Sequence, residues 1–146
     1  DNNLLMKLVS HRGNINGPNP EMENDPRYVE NTLAKGFSVE VDVWSNGSDF
    51  FLGHDEPQHQ VSKLFLRHRA IWCHAKDIKT FYKLIEIGAH CFSHDQDEVA
   101  LTTKGYLWST YGKDMTNKSI CVMPPRKTEL PKDIAGVCSD YVGDYK

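Results

Sequence analysis

Residues 39–43 read Val-Glu-Val-Asp-Val, and this alternation constrains the chain more than any other segment. In a strand, successive side chains point to opposite faces, so Glu40 and Asp42 share one face and the three valines the other. The valines call for burial. In a parallel sheet both faces are covered, which leaves no solvated side for the carboxylates. Two carboxylates held away from water are costly unless something positive compensates them, and a metal ion is the usual partner. Two histidines and an arginine stand at the ends of neighbouring candidate strands, in Ser10-His11-Arg12-Gly13 and Gly53-His54-Asp55. That combination is the chemistry of metal-assisted phosphodiester cleavage.

The bulk numbers bound the rest. A chain of 146 residues with 39% apolar content is read as a single domain, 1–146, with room for a real core. A net charge of −3 without any basic run argues against a nucleic-acid partner. No apolar stretch approaches the roughly 20 residues that span a bilayer, and the first residues lack a signal-peptide pattern. Met6-Lys7, directly before the first apolar run, reads as the natural start, with residues 1–5 an added leader. Cys73, Cys91, Cys121 and Cys138 fall inside apolar runs without Cys-x-x-Cys spacing, so small buried thiols in a reducing compartment are expected. The expected compartment is the cytoplasm.

Eight short apolar or β-branched runs are expected as strands: Lys7–His11, Ser38–Trp44, Phe50–His54, Ile71–Lys76, Cys91–His94, Tyr106–Thr110, Ile120–Met123 and Val137–Val142. Asp25 with Pro26 opens a helix that stops at Gly36. Val61, Leu64, Phe65 and His68 form a helical stripe. Asp77 caps a further helix whose Ile78, Phe81, Tyr82 and Ile85 are expected to face the core, ending at Gly88. Gln96–Lys104 is expected as another short helix, and the stretch from Tyr111 to Ser119 as loop. Strand–helix alternation implies a parallel sheet, and eight strands imply a compact (β/α)8 TIM barrel. Sharing 146 residues among eight units leaves about 18 for each, so several helices must be abbreviated.

At His11-Arg12-Gly13, Glu40-Val41-Asp42 and His54-Asp55 the sequence resembles the glycerophosphodiester phosphodiesterase family. That family shows an HRG run after its first strand, a PENT-like helix start, an E-x-D strand and an HD pair. Cys138-Ser139-Asp140-Tyr141 is similar to the T-D-Y ending of its last strand. The resemblance implies a TIM barrel and a divalent cation, often Mg²⁺ or Ca²⁺. Two segments compete for the PENT position. Glu30-Asn31-Thr32 matches the letters better but leaves too short a stretch before Glu40 for helix, turn and strand, so Glu23 and Asn24 are assigned to the site. The family's fourth strand carries E-x-K, its glutamate being the third metal ligand, where this chain has His74-Ala75-Lys76. A set of Glu40, Asp42 and His74 favours Mn²⁺, iron or Zn²⁺ more than an all-oxygen set does.

These readings assign roles. His11 and His54 form the acid–base pair, since imidazole titrates in the neutral range. Arg12 binds phosphate oxygens and offsets the charge gained in the transition state. Asp55 orients His54, Lys76 adds positive charge at the mouth, and Trp108 lines the leaving-group pocket. His94 is read as a pocket residue and Asp95 as the cap of the following helix. The expected activity is metal-dependent hydrolysis of a small glycerophosphodiester-like substrate by a monomer or homodimer. Two alternatives stand beside it: an inactive barrel that binds a phosphorylated metabolite, and a phospholipase C- or D-like lipid phosphodiesterase.

Overall fold

The computed structural model describes residues 6–146, so the reading of residues 1–5 as a leader lies outside the described residues. Ten strands form one mixed sheet: β1 (Lys7–His11), β2 (Ser38–Asn46), β3 (Asp49–Leu52), β4 (His59–Val61), β5 (Ile71–Ala75), β6 (Cys91–Phe92), β7 (Val99–Leu101), β8 (Leu107–Thr110), β9 (Ser119–Val122) and β10 (Gly136–Ser139). Three short helices accompany them, α1 (Pro26–Ala34), α2 (Lys63–Leu66) and α3 (Ile78–Glu86), with a 3₁₀ turn at Val142–Tyr145. Strands β6, β5, β2, β1, β10, β9 and β8 lie side by side in parallel. β3 and β4 continue β2 as an antiparallel meander, and β7 pairs antiparallel with β8.

This overturns the expected (β/α)8 barrel. Helices do not alternate with strands: the connections over residues 111–118 and 123–135 carry none. The physical reason is chain length, because a parallel crossover with a helix consumes a dozen residues or more. One expected strand changes direction and one expected helix changes type. Phe50–His54 was expected as a parallel strand, yet β3 folds back on β2 through a two-residue turn at Gly47-Ser48, with Asn46 opposite Asp49. Gly47, the first of the two turn residues, has φ +62°, the positive φ that a glycine supplies at that position of a two-residue hairpin. The expected helix over Gln96–Lys104 is instead the antiparallel strand β7, so Asp95 caps no helix.

The helices that do form have clear causes. The Asp25 carboxylate accepts from Arg27 N and Pro26 occupies the first turn of α1. Asp77 caps α3 by accepting from Thr80 N. The α3 stripe is rotated from expectation: Thr80 and Leu84 are buried and Phe81 packs on the core, while Ile78 and Tyr82 are 65% and 66% exposed and Ile85 is also exposed. All four cysteines are free and buried.

The core has two parts, one on each face of the sheet. Val39, Val41 and Val43 pack with Leu52, Ile71, Leu66 and Leu84 beneath the helices. On the other face Val9, Trp72, Phe92, Trp108, Ile120 and Cys138 form a second cluster. The sheet curls strongly enough that Trp72 on β5 and Trp108 on β8 have ring centroids 5.6 Å apart. The curl is bridged by the Thr103 N–H donating to the Cys91 carbonyl, and by the Cys91 N–H donating to Thr103 Oγ1, outside the strand ladders.

Phe92 is fully buried between His74 and Trp108. Phe92→Ala is expected to cost about 3–5 kcal/mol, read as a lowered urea midpoint with an unchanged m-value.

Candidate metal centre

Parallel register stacks the second face in layers. His11 and Trp72 lie level with Glu40, and Asp42 level with His74, while Val9 and Cys138 fall one layer below toward the strand starts. Glu40 and Asp42 are 3% and 1% exposed. With His74 they form a group whose ligating atoms all lie within 4.8 Å of one another, able to hold a metal ion. Glu40 Oε1 is buried and has no hydrogen-bond partner among the described residues, which is what a carboxylate awaiting a cation looks like.

Each neighbour is placed by its own element. His11 ends β1, and its Nδ1 is 2.7 Å from Asp140 Oδ1, just beyond β10. Its Nε2 faces Glu40 Oε1 at 3.9 Å. Arg12 follows in the left-handed region with φ +61°, which turns its side chain across the carboxylates. Arg12 Nε pairs with Asp42 Oδ2 at 3.0 Å, Nη1 donates to Glu23 Oε1 at 3.3 Å, and Nη2 donates to His54 Nδ1 at 2.7 Å. Gly13 has φ +102°, and a Cβ there would fall 2.5 Å from the Tyr28 ring. Asn24, buried with φ +67°, holds Asp42 reciprocally: its Nδ2 donates to Asp42 Oδ2 and its Oδ1 accepts from Asp42 N, both at 3.0 Å. His74 Nδ1 sits 3.0 Å from Asp42 Oδ1.

The turn bearing His54 is tied down by Trp44, whose Nε1 donates to the Gly53 carbonyl at 2.7 Å. His11, Arg12, Glu23, Asn24, Glu40, Asp42, His54 and His74 are therefore brought together. Three expected site residues stand farther out. Asp55 is almost fully exposed, 3.6 Å from His54 Nε2. Lys76 follows β5 directly, near His94, with its N–H donating to the Val43 carbonyl. Trp108 lies one aromatic layer below, against Phe92 at 4.7 Å rather than against His74. Glu30 lies inside α1.

Sequence reasoning passed over Asn14, Tyr28 and Asp140 as site residues. Asn14 Nδ2 donates to Glu23 Oε2 and to Asp140 Oδ1, and the Tyr28 hydroxyl donates to Asn14 Oδ1. Only Asp140 had a readable signal, the T-D-Y-like ending. His94 is a fourth neighbour, stacked on His74 with centroids 4.5 Å apart and its buried Nδ1 unpartnered.

Electrostatics separates the two carboxylates. Burial works to raise Asp42, but the His74 hydrogen bond and the Arg12 guanidinium outweigh it and hold Asp42 well below the usual range. Glu40 has no such bonds, and burial together with the Asp42 charge pushes it up to about 7. Burial opposes protonation of His11, yet the Asp140 hydrogen bond and the Glu40 charge raise it overall. Asp140 is lowered: burial opposes this, but bonds from His11 and Asn14 prevail. No family model, curated protein or solved structure matches the chain.

The raised Glu40 makes the ion-free fold lose stability as pH climbs from the ordinary carboxylate range through about 7, because the folded state must release a proton it favours. In chelator, Glu40→Gln should melt above the wild type at pH 8 by roughly 5 °C, with the gap shrinking at pH 5. Added Mn²⁺ should stabilise the wild type at pH 8 and leave Glu40→Gln little changed, as measured by thermal melts.

Proposed function

We propose that the protein is a metal-dependent phosphodiesterase acting on a small glycerophosphodiester-like substrate, as the family resemblance implies. The observation that carries this reading is the buried Glu40–Asp42–His74 group flanked by His11 on one side and His54 on the other. When bound there, a divalent ion supplies Lewis acidity toward a phosphate oxygen and a neighbouring hydroxyl. Two carboxylates and one imidazole suit Mn²⁺ or Zn²⁺, whereas the resemblance alone points to Mg²⁺ or Ca²⁺.

The residues divide the proton work. Asp140 accepts from His11 Nδ1, which leaves Nε2 with the lone pair and makes His11 the base for the attacking hydroxyl. That hydroxyl, the substrate's own beside the ester, forms a bond to phosphorus as the bond to the leaving alcohol breaks, which gives a cyclic phosphate, and His54 Nε2 returns a proton to the departing alkoxide. A protonated His54 needs an acceptor at Nδ1, which Arg12 now occupies as a donor. Arg12 therefore turns to the phosphate, and Asp42 Oδ2, 3.6 Å away, balances the imidazolium. Water then opens the cyclic phosphate by the reverse use of the same pair.

A binding-only reading, with a phosphorylated metabolite as ligand, is favoured by one observation: Arg12 is engaged by Asp42, Glu23 and His54 at once. Turnover separates the two readings. Metal-stripped protein resupplied with Mg²⁺, Ca²⁺, Mn²⁺ or Zn²⁺ is expected to hydrolyse glycerophosphocholine, whose free hydroxyl can attack, while bis(p-nitrophenyl) phosphate, which has none, reports only P–O cleavage by water. His11→Ala and Glu40→Ala should each lower kcat by about 10³-fold or more with the fold retained by circular dichroism. Full activity in either variant would exclude this mechanism, and thermal stabilisation by a phosphate ester without product would favour binding alone.

A further inference from the structure

The opposite end of the parallel strands carries a polar cavity of about 400 Å³. Its lining residues come from strand starts: Lys7 at β1, Ser38 at β2, Trp72 on β5, His90 ahead of β6 and Tyr106 ahead of β8, with Arg69 and Lys104 on the adjoining loops. No carboxylate lines it. Lys7 and Lys118 both stand over the Tyr106 ring, at 5.4 and 5.5 Å from its centroid. Among the described residues, Lys7, Arg69, Lys104 and Lys118 make no ion pair, whereas Arg12, Lys113 and Arg126 each do.

For a chain of net charge −3, gathering unpaired cations about one cavity is an electrostatic cost that an anion would relieve. The cavity is also built from the inside. His90 is 4% exposed yet reaches its wall, with Nε2 bonded to Thr102 Oγ1 at 2.8 Å and its ring packed on Trp72 at 4.2 Å. Only that nitrogen of His90 has a hydrogen-bond partner among the described residues, so Nδ1 is the ring atom left for a ligand. Burial, with Lys104 and Lys7 nearby, lowers His90 to about 4, so it meets an anion as a neutral ring. Trp72 and Tyr106, with centroids 5.3 Å apart, supply a planar apolar wall beside the cations.

We propose that this cavity binds a small phosphomonoester, its phosphate among Lys7, Arg69 and Lys104 and its apolar or planar part against Tyr106 and Trp72. The site is separate from the metal centre, since the two occupy opposite ends of the same strands, and it does not depend on the proposed hydrolysis.

The test is titration of the full chain, in chelator and at constant ionic strength, with phenyl phosphate and with inorganic phosphate. Binding is read by calorimetry and by tryptophan fluorescence, Trp72 being the reporter at the wall. Saturable binding is expected, several-fold tighter for phenyl phosphate. The double variant Arg69→Ala/Lys104→Ala, altered only at exposed side chains, should keep its Tm and bind at least tenfold more weakly, while Glu40→Gln binds as the wild type does. Absence of saturable binding, equal affinity for the two probes, undiminished affinity in the double variant, or loss of binding in Glu40→Gln would each overturn the assignment.

Discussion

Burial of Glu40 and Asp42 on one face of β2 is the constraint around which the upper half of the molecule is arranged. Two negative charges in a low-dielectric setting repel each other and lose their hydration, so the neighbouring elements supply what water cannot. β1 contributes His11, the loop after it contributes Arg12 and Asn24, and β5 contributes His74. The compensation is unequal. Asp42 receives Arg12, Asn24 and His74, while Glu40 keeps an unpartnered oxygen and a raised pKa. A cation held between them would complete the set, and Glu40 is the carboxylate that would gain most from it.

The support for this arrangement is a second tier of ordinary structural chemistry. Asn14 links Glu23 to Asp140 and is itself held by Tyr28 from α1. Thr32 of the same helix donates to the Gly13 carbonyl at 2.6 Å, fastening α1 against the Arg12 turn. α1 therefore has a task beyond covering the valines, because its position sets the angle at which Arg12 crosses the carboxylates. Parallel register does the rest by dividing the strands into an apolar lower layer and a polar upper one.

Legibility followed the range of the interaction. The Val-Glu-Val-Asp-Val alternation, the Asp25 and Asp77 caps and the buried cysteines were readable because each depends on the geometry of a few adjacent residues. Gly47-Ser48 is a two-residue turn, but the apolar run after it reads equally as one more parallel strand. Over 96–104 the short periodicity suited either helix or strand, and pairing with β8 decided it. The α3 stripe was rotated because Ile78, Tyr82 and Ile85 suit a helical face as well as Phe81 and Leu84 do, and only the sheet surface selects between them. Asn14 in its loop and Tyr28 on α1 were invisible, since an isolated polar residue says nothing of its distant partner.

By itself the sequence determined the alternation that places two carboxylates on one face, the helix starts, and the candidates His11, Arg12, His54 and His74 that compensate them. Backbone geometry makes these consequences local and therefore unavoidable. Tertiary structure alone decided that β7 runs antiparallel, that the sheet curls without alternating helices, that Asp140 meets His11 across almost the whole chain, and that Lys7, Arg69 and Lys104 surround one cavity. Those outcomes depend on which distant strands pair and in which register, and pairing is settled by the total burial of both sheet faces rather than by any single segment.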